Sequence, residues 1–264
     1  MDGILVINKA PGMTSHDVVA RVRKLLKQRR VGHAGTLDPM ATGVLPICVG
    51  QGTRVAEYLS ESGKAYEARI TFGMTTDTYD TEGDVIRTTD ASELDRATIE
   101  QLLPRFLGAQ MQMPPRYSAI KIQGQPAYKR MRSGEEVTLE ARPITITDLT
   151  IVDWQTPHLT LSISCSKGTY IRSLAYDLGE ASGYGAHLTA LQRTRSGPFS
   201  LSDSITLEQL ATALEEDTID SYLLPTDRVL IQYPAFTLDD ATAARVLHGN
   251  AFQPSELSET QPQS

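Results

Sequence analysis

Gly32-His33-Ala34-Gly35-Thr36-Leu37-Asp38-Pro39-Met40-Ala41-Thr42-Gly43 is the most unusual stretch of this 264-residue chain. Glycine permits positive φ and close backbone approach, and a proline holds the residue before it extended. Asp38 is therefore expected to project from a stiff loop into whatever space faces it. Asp-Pro also starts ordinary turns. Spacing alone leaves both readings open.

Upstream of the loop, residues 4–8 read as a short apolar strand that Pro11-Gly12 ends. Thr14 and Ser15 are N-cap candidates for a helix over residues 16–27. At about 100° per residue, Val18, Val19, Val22, Leu25 and Leu26 share one face, and Arg21, Arg23, Lys24 and Lys27 fall opposite. Residues 29–43 read as one loop. Downstream, residues 44–49 form an apolar run of buried-strand length, followed by Gly50-Gln51-Gly52 and a helix over 53–62.

Residues 64–72 alternate as a strand, and residues 75–83 form a polar, acidic loop. Residues 95–107 predict a helix, 118–122 a strand, and Pro126 opens a helix through Arg132. Residues 143–154 and 159–166 are rich in Ile, Val, Thr and Leu and predict a hairpin. A helix is expected over 169–180, where Ile171, Leu174, Ala175 and Leu178 share a face, then a strand over 187–194 and a helix over 206–216. Strands and helices are interspersed without the regular alternation of a parallel α/β fold. The expected class is α+β, with a mixed or largely antiparallel central sheet flanked by helices and loops. Residues 1–224 make the main domain.

Hydrophobic residues at 40% and charged residues at 22% indicate a globular chain, and no apolar run reaches the roughly 20 residues of a membrane span. The N-terminus lacks the features of a signal peptide, so a cytoplasmic location is expected. Cys48 and Cys165 lack metal or redox spacing and read as buried thiols. The net charge of −7 argues at first against a nucleic-acid partner, but its distribution does not. From Asp203 onward there are eleven acidic and two basic residues, which leaves the first 202 residues with 23 basic and 21 acidic. Two stretches rich in Lys and Arg lack carboxylates altogether. Residues 18–37 carry Arg21, Arg23, Lys24, Lys27, Arg29 and Arg30, and residues 101–134 carry Arg105, Arg116, Lys121, Lys129, Arg130 and Arg132. Local contacts set the attraction to a phosphate backbone, not the total charge.

Other chemistry is poorly supported. Asp77, Asp80, Glu82 and Asp84 lack the spacing of a calcium loop. The five histidines form no zinc motif, Ser164, Ser166 and Ser173 lack a nucleophile-elbow setting, and Gly50-Gln51-Gly52 is not a phosphate loop.

Several ordered blocks, taken together, are more specific. The Gly32–Gly43 loop, its flanks Gly3-Ile4-Leu5-Val6-Ile7-Asn8-Lys9 and Leu45-Pro46-Ile47-Cys48-Val49-Gly50, Lys64-Ala65-Tyr66-Glu67, Phe72-Gly73-Met74-Thr75-Thr76-Asp77-Thr78-Tyr79-Asp80, Tyr117-Ser118-Ala119-Ile120-Lys121 and Cys165-Ser166-Lys167-Gly168-Thr169-Tyr170-Ile171-Arg172 occur in that order. Together they resemble the bacterial tRNA pseudouridine-55 synthase family (TruB type) over roughly residues 3–200. The resemblance implies isomerisation of the T-loop uridine. The N-glycosidic bond breaks, the base turns, and the link re-forms through C5. No redox change occurs and no net water is consumed, so neither cofactor nor metal is expected.

The resemblance also implies roles for individual residues. Asp38 matches the catalytic carboxylate, and Arg172 its arginine partner. Tyr66 matches the tyrosine that stacks on the flipped uracil and takes the C5 proton. Tyr170 and Leu191 match further substrate-pocket residues, Lys9 a lysine supporting the site, and His33 a histidine beside the flipped nucleotides. The partner implied is the tRNA T-arm, met by a monomer. Residues 225–252 resemble only the beginning of the RNA-binding domain of PUA type that usually follows, and residues 253–264 read as a disordered polar tail. Two other functions compete with this one. One is a tRNA-binding folding helper whose chemistry is secondary or lost. The other is a related synthase acting with guide RNA, against which the short C-terminus weighs.

Overall fold

The computed structural model describes residues 1–117, 121–122, 125–126, 139–253 and 258–259, with side chains at 1–117 and 139–253. The chain divides into two compact units, Met1–Thr226 and Asp227–Ser264.

In the first unit the strands are β1 (Gly3–Lys9), β2 (Val31–His33), β3 (Thr42–Val49), β4 (Lys64–Phe72), β5 (Met74–Thr76), β6 (Val85–Thr88), β7 (Gly108–Gln112), β8 (Lys121–Ile122), β9 (Gln125–Pro126), β10 (Arg142–Gln155), β11 (His158–Cys165), β12 (Ala186–Ser196) and β13 (Phe199–Ser200). The helices are α1 (Ser15–Leu26), α2 (Ala56–Glu61), α3 (Arg96–Leu102), α4 (Ile171–Ser182) and α5 (Leu207–Glu215). The main sheet runs β1-β3-β12-β4-β11-β10-β7, with β2 also on β3 and β13 on β12. Among the described residues β12 against β3 is its one parallel pairing, at Gln192↔Thr42 and Arg193↔Gly43. The expected α+β class with a mixed, mostly antiparallel sheet is the one observed.

Sequence periodicity accounts for the centre of this sheet. Lys64, Tyr66, Ala68, Ile70 and Phe72 alternate with more exposed residues along β4, and Leu159, Leu161, Ile163 and Cys165 do so along β11. Each fully buried Leu, Ile or Phe contributes about 1.5–3 kcal/mol. Ile171, Leu174, Ala175 and Leu178 bury one face of α4 against β12 and β4. Thr14 caps α1 in a capping box with Asp17, and Lys27 ends it in the left-handed conformation.

The expected loop over 29–43 contains β2, which pairs with β3 from Val31↔Val49 to His33↔Ile47. The expected helix over 53–62 is a 3₁₀ segment, Gly50–Val55, followed by α2. Residues 95–107 divide in the same way, into α3 and the 3₁₀ segment Leu103–Phe106 with Pro104 at its start. Of the expected strand at 118–122 only Lys121–Ile122 is described, and the expected helix after Pro126 lies outside the described residues.

In the second unit, β14 (Phe236–Thr237) pairs antiparallel with β15 (Ser258–Glu259). Asp239 caps the following helix, α6 (Asp240–Leu247), by accepting from Thr242 N at 2.7 Å. Apart from residues 258–259, the tail beyond 253 lies outside the described residues. No helix among the described residues is long and apolar enough to cross a membrane.

Candidate active site

The Gly32–Gly43 loop is fixed to its surroundings mostly through its own backbone. Asp38 O accepts from Ala41 N at 3.1 Å, so Asp38 does open a turn with Pro39 at its second position. The Lys9 side chain is 1% exposed, and its Nζ donates to Ala10 O (2.9 Å), Pro39 O (3.0 Å) and Ala41 O (2.6 Å). Burial pulls the Lys9 ammonium down to about 8. Lys9 is spent on the loop and is not among the residues lining the pocket. Ser15, an N-cap candidate by sequence, instead grips Leu37. Its Oγ accepts from Leu37 N at 2.9 Å and donates to Leu37 O at 3.2 Å. The residues on either side of Asp38 are thus held, and its carboxylate remains 36% exposed.

Arg172, on the first turn of α4, meets that carboxylate. Its Nε lies 2.9 Å from Asp38 Oδ2, out of line for a hydrogen bond, and its Nη2 donates to Oδ1 at 3.2 Å. The guanidinium side chain is 7% exposed and is held from behind. Nη1 donates to Thr78 O (3.2 Å) and lies 3.4 Å from Asp80 Oδ2, and Nη2 also donates to Tyr117 O (3.0 Å). Asp80 is itself fixed by Thr78 Oγ1 at 2.6 Å and Glu82 N at 3.0 Å. Asp80 reads in the sequence as one member of an acidic loop and the end of one family-like block, with no role assigned to it. No sequence signal connects it to an arginine 92 positions away. One planar fork between two carboxylates is a rigid arrangement.

Asp38, Tyr66, Tyr170, Arg172 and Leu191 line one pocket, together with Lys64 and Arg193, which sequence reasoning missed. Tyr66 projects from β4 and is 9% exposed, and burial raises its hydroxyl above the usual tyrosine range. Gln112 pins the Tyr170 backbone, donating from Nε2 to Tyr170 O (3.0 Å) and accepting from Tyr170 N (2.8 Å). Leu191, on β12, stands opposite Ala68 of β4 and is 7% exposed. The Lys64 ammonium caps the end of α2 through Ser60 O (2.7 Å) and Ser62 O (2.5 Å). The pocket thus joins a partly exposed carboxylate to a buried phenol and two apolar or aromatic walls.

The TruB family pseudouridylate synthase N-terminal domain matches residues 23–171, and the tRNA pseudouridylate synthase B C-terminal domain matches residues 172–231. The chain belongs to the TruB family. It is 45% identical over 259 residues to tRNA pseudouridine synthase B of Pseudomonas aeruginosa, covering 97% of this chain and 85% of the relative. It is 46% identical over 254 residues to the enzyme of that name from Pseudomonas putida, covering 95% and 83%. Among solved structures, a chain of a Cbf5-Nop10-Gar1 complex superposes with a TM-score of 0.76 at 30% identity, covering 97% of this chain and 69% of that one. A chain of an H/ACA RNP bound to a substrate RNA containing 2′-deoxyuridine gives 0.75 at 28%, with the same coverages.

In this TruB-family chain His33 stands apart from the pocket lining. Its ring meets His16 edge-on at 5.3 Å, and its buried Nδ1 has no hydrogen-bond partner among the described residues. Burial first, then the charges of His16 and Arg193, lower its pKa from 6.5 to about 4. His33 is therefore neutral at physiological pH. Between 6.5 and 4 the unfolded chain takes up a proton at this residue that the folded chain refuses, so the fold loses stability as pH falls. NMR titration is expected to place the His33 midpoint near 4, and the stability of the wild type relative to His33→Gln to fall across that window. A pH-independent difference between the two proteins would contradict this.

The expected basic face of α1 is present. Arg21, Arg23, Lys24 and Lys27 are exposed, as is Arg29 beyond it. Arg23 also serves the fold, donating from Nη2 to Val31 O at 2.6 Å. Of the second basic stretch, Arg105 and Arg116 are described and exposed, while the side chains of Lys121, Lys129, Arg130 and Arg132 lie outside the described residues.

Proposed function

We propose that this chain is a tRNA pseudouridine synthase that isomerises the T-loop uridine, position 55 of tRNA, acting as a monomer on the T-arm. The observation that carries the proposal is the Asp38 carboxylate, held by Arg172 at a pocket that Tyr66 closes from the sheet side. Family membership and the names of the relatives support the same reading.

The reaction needs a group that can act on a glycosidic bond without being consumed. Asp38 supplies a carboxylate able to attack the nucleoside or to stabilise a cationic sugar. The guanidinium of Arg172 fixes the direction of that carboxylate. The C1′–N1 bond breaks, C1′–C5 forms, C5 gives up its proton and N1 gains one, so atoms and charge balance within the substrate. A base inside a folded loop must first swing out, and the Tyr66 ring provides a surface on which uracil stacks. Tyr66 is the proposed acceptor of the C5 proton, its own hydroxyl proton passing on toward N1. Tyr170 and Leu191 close the walls, Lys9 supports the loop, and His33 flanks the extruded nucleotides. The exposed cations of α1 offer sequence-independent contacts to the RNA backbone. The intact group of Asp38, Tyr66 and Arg172 favours catalysis over a folding-helper role alone.

The substrate assignment is tested by chemical mapping of pseudouridine after reaction with an isolated T-arm stem–loop and with one carrying cytidine at the target position. Modification of the first alone is expected. Modification elsewhere in tRNA, with the stem–loop untouched, would overturn the assignment.

Arg172→Lys tests the electrostatic frame. A lysine keeps the charge but loses the fork that meets Asp38, Thr78, Tyr117 and Asp80. Losing one or two charge-assisted hydrogen bonds in the transition state lowers the single-turnover rate by roughly a hundredfold or more. RNA affinity is expected to stay unchanged. An equal loss of affinity would mean that Arg172 binds RNA and does not orient Asp38.

A further inference from the structure

Arg193 is a buried cation for which the proposed chemistry has no use so far. It is 1% exposed and stands on β12, two residues after Leu191. An arginine does not deprotonate inside a protein, and taking its charge out of water costs several kcal/mol unless partners compensate. Its partners are backbone carbonyls from both ends of the Asp38 loop. Nε donates to Val44 O (2.7 Å), Nη2 to Gly35 O (3.1 Å) and Nη1 to Thr36 O (3.4 Å). Among the described residues no carboxylate pairs with it.

Two further observations show where this charge acts. Arg193 lines the same pocket as Asp38 and Tyr66, and it stands directly opposite Tyr66 where β12 pairs with β4. Its guanidinium also lies against the loop backbone, since a Cβ built on Gly35 would meet Arg193 Nη1 at 3.4 Å. A residue needed only to tie the loop to β12 could be neutral and avoid the desolvation cost. A guanidinium both ties the loop and favours negative charge on whatever stands before it.

We propose that Arg193 is a positioning residue for the isomerisation, holding the Asp38 loop and the Tyr66 hydroxyl in one frame so that carboxylate and phenol address the same base. This inference rests on the reading of Tyr66 as the platform that receives the C5 proton. The cation also eases ionisation of Tyr66, opposing the effect of burial.

The test uses the full chain, Arg193→Lys and Arg193→Gln, and 3-fluorotyrosine introduced at position 66 alone. Arg193→Lys keeps the charge and loses the fork. It is expected to bind the T-arm stem–loop as the wild type does and to react about a hundredfold more slowly in a single turnover, the size of loss that a misplacement near 1 Å brings. A rate within about threefold of wild type in the folded protein would overturn the proposal. A rate loss matched by an equal loss of affinity would overturn it too. In Arg193→Gln the fluorine resonance is expected to titrate at higher pH than in the wild type, a shift that a merely structural role does not produce. An unmoved titration in folded Arg193→Gln would also overturn it. If Arg193→Gln does not fold, the Arg193→Lys rate decides. If the wild type itself modifies no RNA, the assigned function fails, while the fluorine titration still reports whether Arg193 and Tyr66 are coupled.

Discussion

Asp38→Asn is expected to lower the single-turnover rate by about four orders of magnitude or more, the scale seen when a group that bonds to or directly stabilises the reacting atoms is removed. Asparagine has nearly the same shape, so binding and fold have little reason to change. The carboxylate it replaces is already 36% exposed. Arg172 keeps Asp80, Thr78 O and Tyr117 O after the substitution, so the guanidinium is not left stranded. The stability cost is therefore limited to about 1–3 kcal/mol, one charge-assisted hydrogen bond. Stem–loop affinity measured alongside the rate separates the two effects. Retained turnover would mean that the carboxylate only shapes the turn, while lost affinity would mean that it contributes to binding.

Gly43→Ala is expected to be the most damaging of the small substitutions, and its damage falls on stability. Gly43 has φ +96°, where an L side chain is strained, and a Cβ there would lie 2.3 Å from Arg193 O and 3.0 Å from Arg193 N. Those atoms belong to the backbone of β12, at the parallel pairing with β3, while Lys9 of β1 faces Gly43 from the other side. Neither neighbour can withdraw without breaking the sheet at the base of the Asp38 loop. Strain and displacement together cost about 3–5 kcal/mol, at the severe end for a point substitution. In a unit of this size that lowers Tm by roughly 10 °C or more. Gly12→Ala is the control. Gly12 also has positive φ, +81°, but nothing lies within 4 Å of the added carbon, so its cost is about 1 kcal/mol. Equal melting points for the two variants would contradict the close-approach argument.

The contrast between these glycines shows what could be read from sequence. That glycines in the Asp38 loop would take positive φ was legible, and Gly35 and Gly43 do so. That β12 would press on one of them was not, because the pairing joins residues 150 apart. The centre of the sheet was legible for the reason that β4 and β11 alternate cleanly, and α1 for its cap and its apolar face. Strand β2 was hidden because three residues with a glycine at their centre carry no periodicity, and β7 because its exposed edge shows no buried alternation.

The site divides along the same line. Asp38, Tyr66 and Arg172 could be named through ordered blocks that resemble a family, and the structure brings all three to one pocket. Lys9 could be named as a support, but not that its ammonium meets three carbonyls. Asp80 and Arg193 were missed for a common reason. Their roles depend on long-range geometry, and in the sequence one is an acid among acids and the other a strand arginine that alternation cannot tell from a solvated one.

The most direct measurement uses unmodified tRNA carrying tritium at uracil C5, with excess wild-type protein, and follows tritium released to water. One equivalent per tRNA, accompanied by pseudouridine at the T-loop position alone, is the predicted result. No release by the folded wild-type protein, or equal release by Asp38→Asn, would contradict the assignment of Asp38 as the carboxylate that isomerises uridine.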